Sequence, residues 1–195
     1  KFTILESKQI KNTLSSGKPT RDIVYVKGQF GGEILHVFVN HWPSNYGGRE
    51  QAIPKRAETA RFVREKVEKI LNEDPKAEIL LMGDFNEGPN EQNIQYLAKD
   101  ILINLMEPFI GKKGVGTYVY RGQDSLLDQF IASSGLLDDK GLKIEDNAVS
   151  ILDLPKYRQQ RGKYQHYPFR FWAGEKLLGG YSDHLAISVE INLIQ

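Results

Sequence analysis

The chain has 195 residues, 40% apolar and 26% charged, with 26 Lys plus Arg against 25 Asp plus Glu for a net charge of +1. These values describe a single globular domain with a sizeable core, and they exclude disordered, collagenous and coiled-coil chains. No apolar run approaches the roughly 20 residues that a bilayer-spanning helix needs. The remaining pattern is strand-rich with one long helix. Phe2 to Ile10 and Arg21 to Phe30 read as strands, and the Gly31-Gly32 turn leads into a third strand from Glu33 to His41. That third run is almost continuously apolar, as in a strand covered on both faces. Ala57, Ala60, Val63, Val67, Ile70 and Leu71 recur three and four apart, which predicts a helix from Pro54 to Asn72 with Pro54 in its first turn. Ile79 to Met82 is the next buried strand, followed by a short helix over Glu91 to Lys99. Strands are expected at Thr117 to Tyr120, Leu126 to Ala132, Leu142 to Ile151 and Ala186 to Leu193. Leu152 to Gly180 is a long irregular segment of a kind that is often functional.

Cysteine is absent, so disulfides, thiolate nucleophiles, iron–sulfur clusters and cysteine-held zinc are excluded. Any metal must be held by Asp, Glu, Asn, His or water, a donor set that favours Mg, Mn or Ca. The near-neutral net charge neither predicts nor excludes a polyanionic partner, which must be sought in a local patch. The opening Lys1-Phe2-Thr3-Ile4-Leu5 is no signal peptide, and the compartment stays open.

Four short constellations carry the chemistry. Gly83-Asp84-Phe85-Asn86 follows the strand Ile79 to Met82, where a carboxylate and a carboxamide two residues apart can converge on one point. Taken alone, it reads equally as an Asx-turn into Gly88-Pro89. Ser182-Asp183-His184 precedes the last strand and offers a metal ligand beside an imidazole, or simply a polar turn. Asn40-His41-Trp42-Pro43-Ser44 places His41 where a buried strand exits, whereas His36 inside that strand is structural. Leu127-Asp128-Gln129-Phe130 puts Asp128 in an apolar strand, where an unpaired carboxylate is costly and a histidine is a natural partner. The alternative is a partly exposed edge position.

In this order the four constellations resemble the endonuclease/exonuclease/phosphatase family, which includes DNase I and the abasic-site endonucleases. The resemblance runs from Arg21 to Leu193, and Gly47-Gly48-Arg49 and Arg56 after the His41 motif resemble a bacterial branch. It implies an α/β fold, a four-layer sandwich of two β-sheets with helices outside, and metal-dependent cleavage of phosphate esters. By the resemblance, Asp84 positions or deprotonates the attacking water, and Asn86 contacts the scissile phosphate. His184 lies at that phosphate, Asp128 holds His184, and His41 assists the leaving group. Asp183, with Asp84, contributes to a Mg (or Mn, Ca) site.

Complete members begin with a strand ending in Asn and a second ending in a metal-binding Glu. Neither motif is present, and Glu6 lacks the expected surroundings. The resemblance therefore implies that residues 1–195 form one such domain truncated at its N-terminus. It would start inside the first sheet, with roughly two-fifths of a typical domain absent. Uncovered strands in that sheet would then favour a homodimer.

The segment Lys156 to Trp172 joins Lys156, Arg158, Arg161, Lys163 and Arg170 to six aromatic side chains and no acid. Basic groups bind phosphates and interleaved aromatics stack bases. Together with Arg49 and Arg56, these residues are the expected substrate contacts, and nucleic acid is the favoured substrate. A phosphatase or a phospholipid or phosphoinositide phosphodiesterase is the alternative. A non-catalytic binding module is the alternative from another class.

Overall fold

A computed structural model describes residues 1–194. Three strands lie close to their expected places: β1 (Thr3–Ile10), β2 (Ile23–Phe30) and β3 (Glu33–His41). Gly31 and Gly32 both have positive φ, 64° and 102°, and so close the tight β2–β3 turn. The helix α1 (Arg49–Glu73) starts five residues before Pro54 and contains it. Gly48 replaces the proline as the start signal, because burial of Ala52 and Arg56 outweighs the single backbone hydrogen bond that Pro54 removes. Next come β4 (Glu78–Asp84), α2 (Gln92–Ala98), β5 (Leu102–Asn104), β6 (Tyr118–Tyr120), β7 (Gln123–Ser125) and β8 (Asp128–Ser133).

The two long strands expected near the C-terminus are each divided. Leu142 to Ile151 becomes β9 (Leu142–Lys143) and β10 (Val149–Ile151), interrupted by a turn in which Ala148 N donates to Glu145 O. The polar run Glu145-Asp146-Asn147 supplies that turn. Within the segment after β10 lies a hairpin of β11 (Trp172–Ala173) and β12 (Lys176–Leu177). Ala186 to Leu193 becomes β13 (Ile187–Val189) and β14 (Asn192–Leu193).

Six strands form one sheet in the order β1-β2-β3-β4-β8-β5. The β3–β4 pair is parallel, joined by α1 as its crossover, and the other pairs are antiparallel. One face carries Phe38, Ile79, Leu81 and Ile131, which pack with Val63 and Val67 of α1 and Ile94 and Leu97 of α2. The other face carries Leu35, Leu80, Phe130 and Ala132, which pack with Leu142 and Ile144 and with partly buried Val149, Ile187 and Val189. The described residues thus build three layers of the expected sandwich: helices, the six-stranded sheet, and a layer of two-stranded pieces, β10–β13 and β9–β14.

The two core clusters lie on the two faces of the six-stranded sheet, and the opposing layer is in two-stranded pieces. The free edge β1 does not support homodimerisation. Its Glu6–Lys8 ion pair and its register irregularity between Ile4 and Glu6 are devices that discourage edge-to-edge pairing. No helix among the described residues is long and apolar enough to cross a membrane.

Candidate active site

Strand register assembles the site. His41 lies opposite Asp84 in the parallel β3–β4 pair, and Asp84 lies opposite Asp128 in the antiparallel β4–β8 pair. Three neighbouring strands therefore present their polar residues side by side at one end of the sheet. An isolated bridge between Tyr118 and His184 brings the fourth group in from the C-terminal segment. His184 Nδ1 lies 2.6 Å from Asp128 Oδ2, which is the pairing expected of Asp128. His41 Nε2 lies 3.5 Å from Asp84 Oδ2.

The strand exits need special backbone. Gly83 has φ 124°, and a Cβ there would stand 2.1 Å from Asn40 O. Only glycine allows β3 and β4 to approach this closely. Asn86 has φ 52°, a left-handed conformation that asparagine tolerates. Its backbone N donates to Asp84 Oδ1 at 2.8 Å, and its Nδ2 donates to Asp84 Oδ2 at 3.0 Å and Trp42 O at 3.1 Å. Asn86 is buried, and both amide hydrogens are engaged within the protein. These bonds hold Asn86 and the Asp84 carboxylate against one another.

Burial pushes the Asp84 carboxyl above its ordinary range, and the nearby Asp128 charge adds to this against the opposing Asn86 hydrogen bond and the two histidines. Burial would lower His184, yet the hydrogen bond and charge of Asp128, with Asp84 and Asp183, hold its pKa above normal. His41 moves the other way, lowered by burial and by the Arg21 charge. One imidazole therefore favours the charged form and the other the neutral form, beside a carboxylate of increased basicity.

Asp84, Asp128 and His184 each offer a ligand atom, all within 4.8 Å of one another. The two carboxylates fit a hard divalent cation, which would offset their repulsion. Asp183 stands outside this group. Its side chain is 52% exposed and lies 3.7 Å from Arg170 Nη2.

The expected substrate contacts divide. Arg56 is a correction: its side chain is 0% exposed and its Nε donates to Glu87 at 2.8 Å, so it cannot reach a ligand. Arg158 is an internal brace, with Nε and Nη2 on the Asp153 carboxylate at 2.6 and 2.8 Å. Arg49 lies at the surface and donates to Glu91 at 2.6 Å. Lys156, Arg161 and Lys163 are exposed. Lys156 lies over the Tyr157 ring and Lys163 over Tyr164. Arg170 is half-buried beside Asp183. Phe171 and Trp172, the latter at the start of the β11–β12 hairpin, are about half exposed and meet edge to face at 5.8 Å. Tyr167 Oη accepts from Gly122 N, tying this segment to the β6–β7 hairpin and hence to Tyr118 and His184.

Two contributors had no signal in the sequence. Thr117 is fully buried, and its Oγ1 accepts from Leu127 N and Asp128 N at 3.1 Å each. Its carbonyl accepts from Leu185 N at 2.7 Å, so one threonine fixes the backbone of both dyad partners. Tyr118 places its ring 4.8 Å from the His184 imidazole. His36 is structural as expected, bonded to Tyr25 Oη at 2.8 Å. It lines a groove of about 1100 Å³ that Glu33 and Glu78 place at the opposite end of the sheet from the four-residue cluster.

Solved structures share this architecture. Truncated Caenorhabditis elegans TDP2 superposes with a TM-score of 0.62 at 20% identity, over 95% of this chain and 64% of that one. D. rerio TDP2 complexed with a single strand DNA product gives 0.62 at 18% identity, over 98% and 68%. A Bacteroides thetaiotaomicron mannosyl-6-phosphatase gives 0.58 at 19% identity, over 99% and 68%. The chain thus spans less than two-thirds of the C. elegans protein. No curated protein sequence matches it. The profile of the Endonuclease/Exonuclease/phosphatase family matches residues 1–193, and the chain belongs to that family.

Proposed function

We propose that the chain carries the site of a divalent-metal-dependent phosphodiester hydrolase acting on nucleic acid by an activated water. The observation that carries this reading is the register-matched row His41, Asp84 and Asp128, completed by His184. A phosphodiester repels hydroxide, so hydrolysis needs positive charge, an oriented water and donors to the developing charge. A cation held by Asp84 and Asp128 would supply the first of these when bound.

The chain's own residues supply the rest. Asp84, fixed by Asn86 through both oxygens, accepts a proton from the attacking water. His41 Nε2 at 3.5 Å is a route by which that proton leaves the carboxylate. His184 uses Nδ1 on Asp128, which leaves Nε2 to donate to a phosphoryl oxygen, and its protonated form balances charge on the departing oxygen. This is the orienting role that a carboxylate gives a histidine in hydrolytic triads.

Nucleic acid is favoured by exposed Lys156, Arg161 and Lys163 beside exposed Phe171 and Trp172. Phosphate contacts supply affinity and aromatic faces supply stacking. The discriminating experiment is a substrate panel with Mg present. We expect a single-stranded oligonucleotide to be cleaved and mannose 6-phosphate to be left intact. Turnover of the monoester alone would replace this reading with a phosphatase, and turnover of neither would favour a binding module.

A further inference from the structure

The loops that follow β3 and β4, where His41 and Asp84 stand, converge on one buried ion pair. Arg56, on α1, donates from Nε to Glu87 Oε1 at 2.8 Å. From Nη1 it donates to Pro43 O and Asn45 Oδ1 at 3.0 Å each, both in the loop that follows His41. Glu87 is the residue after Asn86, so this contact holds the loop that carries Asp84 and Asn86. Glu87 Oε1 also accepts from Asn93 Nδ2 at 2.8 Å, and Glu87 O accepts from Nε2 of Gln129, the neighbour of Asp128. Gln129 is itself held by Asn104 Nδ2 at 2.6 Å.

The pair is poorly suited to a purely stabilising role. Both side chains are essentially buried, and Arg56 Nη2 and Glu87 Oε2 have no hydrogen-bond partner. Burying two charges with open hydrogen-bond valences carries a desolvation penalty that apolar residues of like volume avoid. What an apolar pair cannot supply is the forked, directional link between separate loops.

We propose that the Arg56–Glu87 ion pair is the positioning node of this site, fixing the His41 exit and the Asp84–Asn86 loop relative to one another. Its effect on turnover rests on the hydrolase reading above, whereas its effect on loop geometry does not. The test compares the native chain with Arg56→Met/Glu87→Leu and with Arg56→Lys. Three readouts are taken: melting temperature, amide hydrogen exchange, and kcat and KM on bis(p-nitrophenyl) phosphate with Mg.

In the double variant we expect a melting temperature at or above native. The amides of Trp42, Phe85 and Asn86 should exchange about tenfold faster or more, while those of Val63 and Val67 in α1 stay at native rates. We expect kcat to fall about tenfold or more with KM nearly unchanged, because displaced groups lose transition-state alignment rather than binding. Arg56→Lys keeps the ion pair but loses the fork, so faster exchange should be confined to the His41 exit. Native exchange at Trp42, Phe85 and Asn86 in the double variant, or at Trp42 in Arg56→Lys should the double variant not fold, overturns the proposal. Absence of turnover in the native chain overturns the hydrolase reading alone, since the exchange rates still decide the positioning role.

Discussion

Asp128 and His184 are 56 positions apart in sequence and 2.6 Å apart in space. Burial acts to lower the His184 pKa, and the Asp128 hydrogen bond and charge lead the effects that raise it. Asp128→Asn should therefore lower the His184 pKa, read from its imidazole resonances in an NMR titration. An unchanged titration would dissolve the pair as the source of the shift. Because the folded-state pKa is raised, the interaction stabilises the fold below the ordinary histidine pKa of 6.5 and is lost as pH rises through the folded value. Asp128→Asn should remove that acid-side contribution. A histidine partner for Asp128 was legible in the sequence, because a carboxylate in an apolar strand requires a partner, and the family resemblance pointed to His184. The enclosure of Arg56 was not, because residue type does not disclose burial. An arginine near a polar loop reads as a surface contact, but it is fully enclosed by Glu87, Pro43 and Asn45.

Among the elements, the site depends on β3 and β4 running side by side with His41 level with Asp84. Gly83→Ala tests that packing. A Cβ 2.1 Å from Asn40 O, on a residue with φ 124°, forces the strands apart. We expect destabilisation of more than about 2 kcal/mol in denaturant titration. A loss below about 0.5 kcal/mol would mean that the two strands part without strain. The continuous apolar run of β3 and the helical spacing of α1 made these elements readable. The two-residue β9 and β14 were not, because such short pairs are set by tertiary packing rather than by periodicity. The basic segment between β10 and β11 can be tested in the same way. Replacing Lys156, Arg161 and Lys163 with Ala should weaken single-stranded DNA binding and flatten its salt dependence. Each phosphate interaction removed should reduce the log–log slope by about 0.7. An unaltered slope would place the DNA-binding surface elsewhere.

At the scale of the whole molecule, a buried carboxyl far from the site titrates. Glu78, at the start of β4, accepts a hydrogen bond from Leu142 N and so joins the six-stranded sheet to the opposing layer. It is 8% exposed, and its Oε2 has no partner. Its pKa is pushed up to about 7, chiefly by burial, with Glu33, Asp138 and Asp74 adding to the rise against the Leu142 hydrogen bond. The folded state then binds the proton more tightly than the unfolded one, so stability falls as pH rises from 4.5 to about 7 and levels off above. The change amounts to as much as about 3 kcal/mol. Glu78→Gln should flatten this slope and leave the protein more stable at pH 8, as read by thermal melting. A variant with the native pH slope would show that Glu78 is ionised at little cost.

If one end of the six-stranded sheet is a hydrolytic site for phosphodiesters, the chain should cut DNA with a metal and through Asp84. The direct measurement is nicking of supercoiled plasmid by this chain with Mg, with EDTA, and by Asp84→Ala with Mg. We predict nicking by the native chain with Mg, abolished by EDTA and reduced by about a hundredfold or more in Asp84→Ala. Equal nicking by the native and Asp84→Ala chains would contradict a hydrolytic role for this end of the sheet.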